Sequence, residues 1–87
     1  MYYDFHWIAW NIDKVEGHGL TAGDIEFVVN GARRPYPKPI GNEKWLVVGA
    51  TRDGRVIQVI YVVDKDDRLF VIHGRPLTVK ERRRRGN

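Results

Sequence analysis

KWLVVGATRDGRVIQVIYVVDKDDRLFVIH, residues 44–73, reads as three β-strands joined by two tight polar turns. Lys44–Thr51 carries Trp45, Leu46, Val47 and Val48. Arg55–Val63 is dominated by β-branched residues, which pack well on a pleated surface. Between them stands Asp53-Gly54, a dipeptide that two-residue hairpins favour because glycine accepts positive φ. Lys65-Asp66-Asp67 makes the second turn and Leu69–His73 the third strand. An antiparallel meander follows. All three strands are apolar on both faces, so a sheet covered on both sides is expected.

The flanking segments supply helices. Ile8, Ile12 and Val15 fall at i, i+4 and i+7, one helical face. Asn11 is a good N-cap residue and His18-Gly19 a stop, which predicts a short helix over Asn11–Glu16. Trp7 and Trp10 flank it and are expected to pack, as is Trp45. Thr21-x-x-Asp24 resembles a capping box and opens a second helix, with Leu20 placed to staple onto Ile25. Ile25, Val28 and Val29 form its inward stripe, and Asn30-Gly31 ends it. Pro35, Pro37 and Pro39 lack the ladder N–H, so Arg33–Pro39 is expected to be extended or at an edge. Pro76 stops the last strand. Thr78-x-x-Glu81 then caps a helix, Val79–Arg85, with almost no apolar face.

The fold class is therefore α+β: two short N-terminal helices, an antiparallel three- to four-stranded sheet and a C-terminal basic helix. The 87 residues suit one domain, 1–87, and an apolar share of 43% supports a real but thin core.

Several function classes drop out. No apolar run approaches the roughly 18–20 residues of a membrane span, so no membrane partner is expected. The first residues lack the basic and apolar regions of a signal peptide. The chain has neither cysteine nor serine, which removes disulfides and the commonest covalent nucleophiles and fits a cytoplasmic location. His6, His18 and His73 lie far apart, with no paired-histidine motif, P-loop or dinucleotide fingerprint, so neither metal nor cofactor is expected. The net charge of +4 is uneven: residues 75–87 hold six Lys/Arg against Glu81, whereas residues 1–74 hold nine against ten acids. That tail predicts an acidic partner, either nucleic acid or an acidic protein.

What remains is a set of cations and acid–base groups. Alternation puts Arg55 and Tyr61 on one strand face, and His73 and Arg75 on one face of the next strand with Leu69 and Val71. Should those faces coincide, Arg55, Tyr61, His73 and Arg75 form a catalytic cluster. Such a set suits RNA cleavage, in which the RNA supplies its own 2′-hydroxyl nucleophile. Arginine pairs with phosphate through a planar fork, and histidine exchanges protons near neutrality. The products are a 2′,3′-cyclic phosphate and a 5′-hydroxyl. Lys14, His18, Arg52, Arg82, Arg83 and Arg84 are the expected RNA-binding residues. Each group also has a plainer reading: His18 as a helix cap, Tyr61 as core, Arg55 as a solvated residue after a hairpin turn, Arg75 as an ion-pair partner, Arg82–Arg85 as a solvated tail or a dock for an acidic protein.

The ordered motifs carry a resemblance. Phe5-His6-Trp7, Asn11-x-x-Lys14 and His18-Gly19-Leu20-Thr21 are followed by Glu43-Lys44-Trp45 with Val48-Gly49. Then come Gly54-Arg55 through Tyr61, Val71 through Thr78, and Glu81-Arg82. Together they resemble the BrnT-family toxins of type II toxin–antitoxin systems. The resemblance implies a RelE-like fold, RNA cleavage and neutralisation by a cognate antitoxin, in a homodimer or a toxin–antitoxin heterotetramer. The chain departs from the pattern at His73-Gly74, where the family has Ser-Ala, and at Gly17, where it has Lys. Arg33–Pro39 also replaces an acidic loop. These departures keep open an alternative: a catalytically silent, toxin-like module that binds an antitoxin or nucleic acid.

Overall fold

In the computed structural model, which describes residues 2–84, the chain runs through seven elements. They are α1 (Ala9–Glu16), α2 (Ala22–Asn30), β1 (Lys38–Pro39), β2 (Trp45–Ala50), β3 (Val56–Val63), β4 (Leu69–Pro76) and α3 (Val79–Arg84). The strands form one antiparallel sheet in the order β1-β2-β3-β4. This is the α+β layout that the sequence predicts.

Alternation along β3 sets the two faces. Ile57, Val59 and Tyr61 are buried beneath the helices, and Trp45, Val47 and Gly49 of β2 stand opposite them on the same face. Val15, Leu20, Ile25, Val28 and Val29 fill the space between this face and the two helices. α1 packs over β4 and α2 over β2. At Gly74 the helices pack close: an added Cβ would lie 2.8 Å from Ile25 Cδ1 and 3.1 Å from Val15 Cγ1.

The local signals hold in part. Thr21 and Asp24 exchange both capping bonds, at 3.0 and 2.9 Å, as do Thr78 and Glu81 at 3.1 and 2.9 Å. Gly54 takes φ +88° in the β2–β3 turn. Asn11, by contrast, is not the N-cap. The helix starts two residues earlier, and Asn11 sits in its first turn, fully buried. From there its Oδ1 accepts from the Ile8 N–H at 2.7 Å while its amide donates to the His6 carbonyl at 2.9 Å. Gly31 closes α2 at φ −94°, outside the left-handed region. The last strand extends past His73 and ends at Pro76, which lies opposite Ile57. α3 is described to Arg84; Arg85 lies outside the described residues.

Two expectations fail for one physical reason each. Among the described residues, the helices cover one face of the sheet. Leu46, Val48, Val56, Ile60, Val62 and Phe70 of the other face are half-buried, while α3 has no buried residue. The strand faces also do not coincide as simple alternation requires. The ladder steps from Tyr61↔Val71 to Ile60↔His73, so Ile72 is an extra residue, a β-bulge. Beyond it every side chain of β4 changes face, which puts His73 and Arg75 on the open side.

Candidate functional site

The bulge gathers a different cluster from the expected one. Gly74 is buried under the helices, so its neighbours His73 and Arg75 project on the open face, opposite Ile60 and Gln58. At the end of α1 the chain brings His18 around the β4 edge. The His18 and His73 rings meet edge to face, inclined at 63°, with centroids 6.3 Å apart. The Gln58 amide donates to His73 Nε2 at 3.3 Å, which leaves the proton of the neutral ring on Nδ1. Burial lowers the His73 pKa below its ordinary value of 6.5, and the charges of Arg75, His18 and Lys14 lower it further. Both effects favour the neutral imidazole, the form that can accept a proton.

One turn back on α1, Lys14 lies over the Trp10 ring, 4.9 Å from its centroid. Trp10 in turn stacks on Phe70 of β4, with rings 5.9 Å apart and 8° from parallel. Trp10 is 48% exposed, so this pair is an open aromatic shelf beside the cations and not core. Trp7 and Trp45 do pack against the core.

Arg75 is engaged. Its two terminal nitrogens donate to the Glu81 carboxylate at 2.8 and 2.6 Å, and one also reaches the Pro76 carbonyl at 3.1 Å. That fork holds the Glu81 carboxyl down to about 2 and ties α3 to the end of β4.

Comparison with family models, with curated proteins and with solved structures finds no match. The likeness to the BrnT toxins rests on the ordered motifs alone.

Of the expected site residues, Lys14, His18, His73 and Arg75 are brought together; Arg55, Tyr61 and Arg52 are not. Arg55 stands in the β2–β3 hairpin, where it donates to Asp53 at 3.0 and 3.1 Å, to the Gly19 carbonyl at 2.9 Å and to Asp24 at 3.3 Å. It fastens the hairpin to the α1–α2 loop. Tyr61 belongs to the core at 4% exposure, on the opposite face from His73, and burial raises its pKa. Arg52 lies 4.5 Å from the Phe27 ring, on the α2 side. Arg82, Arg83 and Arg84 are exposed along α3.

Gln58, Trp10 and Phe70 were missed. Trp10 and Lys14, four residues apart, share one stripe of α1, and His18, four residues further on in the turn after the helix, follows the same spacing, which is the signal for all three. Among the described residues, no group of three or more His, Asp or Glu stands close enough to hold a metal, and no helix is long and apolar enough to cross a membrane.

Proposed function

We propose that the chain is an endoribonuclease toxin that needs no metal and cuts RNA by attack of the 2′-hydroxyl, with a cognate antitoxin as its inhibitor. The observation that carries the nuclease reading is the adjacent pair His18 and His73, flanked by Lys14 and Arg75 and by the Trp10–Phe70 shelf. His73 Nε2, released from Gln58, accepts the 2′-hydroxyl proton. His18 donates a proton to the departing 5′-oxygen. Lys14 and Arg75 face the charge that builds on the phosphorane, where each aimed donor contributes roughly 3–4 kcal/mol. Trp10 and Phe70 take a base by stacking. Arg82, Arg83 and Arg84 add phosphate contacts along the strand. The antitoxin rests on the motif resemblance, and a cytoplasmic setting follows from an RNA substrate.

Purified protein incubated with a defined single-stranded RNA in EDTA tests this. Discrete cuts ending in 2′,3′-cyclic phosphates, lost in His73→Ala and kept in Arg52→Ala, are expected. Intact RNA, both free and on ribosomes, would overturn it.

A second reading has its own support. Arg75 is already paired with Glu81, and the open sheet face is apolar beyond the basic cluster. Both favour a toxin-like binding module without catalysis. Tight partner binding by a protein that leaves RNA intact distinguishes it.

A further inference from the structure

β2 is only half covered at its outer edge. β1 pairs with it through Lys38↔Leu46 and Pro39↔Trp45 alone. Beyond that point the chain bends away at Pro37, and among the described residues no strand pairs with Val47–Ala50 on the side away from β3. The direction of the free groups follows from the ladder. The Ile40 N–H donates to the Lys44 carbonyl at 3.0 Å, so Lys44 turns its backbone toward the β1 side. Backbone groups alternate along a strand, so Leu46, Val48 and Ala50 turn the same way. Thr51, of the opposite parity, donates to Arg55 on the β3 side at 2.8 Å. Val48 and Ala50 thus present N–H and C=O groups to an unpaired edge.

That edge opens into a groove of about 720 Å³ between β2, α2 and the segment that follows α2. Phe27, Val28 and Tyr36 give it apolar walls, Arg33 and Arg34 line it, and no acidic residue does. One further cation lies beside a wall: Lys38 is 5.9 Å from the Tyr36 ring. Arg33 and Arg34 form no ion pair among the described residues.

We propose that this edge binds an extended acidic peptide segment of a partner protein, which adds as a strand beside Val48–Ala50 with its carboxylates against Arg33, Arg34 and Lys38. Backbone pairing supplies the register and the cations supply the selectivity. A second copy of this chain fits poorly, since pairing edge to edge would bring the two sets of cations together. The surface is separate from the histidine pair and does not depend on the nuclease reading.

The probe is a fluorescein-labelled heptapeptide of alternating Glu and Val, compared with its alternating Lys and Val counterpart. The acidic peptide is expected to bind at least about tenfold more tightly, with the difference shrinking as salt rises. Its binding shifts the Val48 and Ala50 amide resonances. N-methylation of one alternate set of peptide amides abolishes binding, and of the other set leaves it intact. The double variant Arg33→Glu/Arg34→Glu loses the preference while keeping its fold by circular dichroism. Equal tolerance of both N-methylated peptides would overturn strand addition. Absence of binding, or self-association through this edge in sedimentation, would overturn the proposal, leaving the arginines as guards of an open edge.

Discussion

Glu81 holds Arg75 in a two-pronged grip, with N–O distances of 2.8 and 2.6 Å, so the arginine best placed for a phosphate begins with a carboxylate in its fork. An incoming phosphate must displace that carboxylate, and α3 is tethered through the same bond.

Removing the negative charge should therefore favour RNA. Glu81→Gln is expected to tighten single-stranded RNA binding by about twofold to fivefold, the range of an exposed ion pair. Acid should act on the same pair. The Glu81 carboxyl, held to about 2, contributes to stability above its ordinary value of 4.5, and that contribution is lost as pH falls toward 2. Fluorescence anisotropy with labelled RNA measures the first effect; weaker binding in the variant would show that phosphate does not enter at Arg75.

His73 makes a pH prediction of opposite origin. Its folded pKa lies below 6.5, so between the two values the unfolded chain binds more protons than the folded one. Stability should fall as pH drops through that window, and His73→Gln should flatten the fall in melting temperature. Cleavage should decline over the same window as the base protonates, and His73→Gln should lower the rate by about 10²–10⁴-fold. A rate unchanged in the variant would remove His73 from the chemistry.

The meander, both polar turns and the capping boxes at Thr21 and Thr78 were legible because each is a local signal: alternation, a turn dipeptide, a hydroxyl three residues before a carboxylate. The bulge at Ile72 was not. Nothing in Val71-Ile72-His73 departs from an ordinary apolar strand, and the extra residue is fixed by where Gly74 must sit beneath Ile25 and Val15. That single residue moved His73 and Arg75 away from Tyr61 and toward His18. Asn11 misled for a related reason. A good N-cap residue can cap equally from within the first turn when its amide also finds a carbonyl, here that of His6.

Gly74 should resist any side chain. In Gly74→Ala the new methyl meets Ile25 Cδ1 at 2.8 Å and Val15 Cγ1 at 3.1 Å, both in the core. A destabilisation of about 1–3 kcal/mol is expected, typical of overpacking. Ile25→Val removes the nearer methyl, so the double variant should recover part of the loss relative to the sum of the two single changes. Urea denaturation of the four proteins measures the coupling. Strict additivity would mean that β4 moves away from α2 at no cost.

Trp10 and Trp45 provide the sharpest contrast between shelf and core. Trp45 packs against the buried cluster opposite Tyr61, so Trp45→Ala should lower stability by about 3–5 kcal/mol. Trp10 is 48% exposed and stacks only on Phe70 and under Lys14. Trp10→Ala should therefore cost less stability than Trp45→Ala yet weaken RNA binding by about 1–3 kcal/mol through loss of a base-stacking surface. Lys14→Gln, which keeps the aromatic pair, should instead reduce the salt slope of binding by about 0.7. Affinity and slope respond to different groups, so the two variants separate stacking from charge. A Trp10→Ala protein that binds RNA as well as the parent would leave the histidine pair without the platform that holds a base beside it.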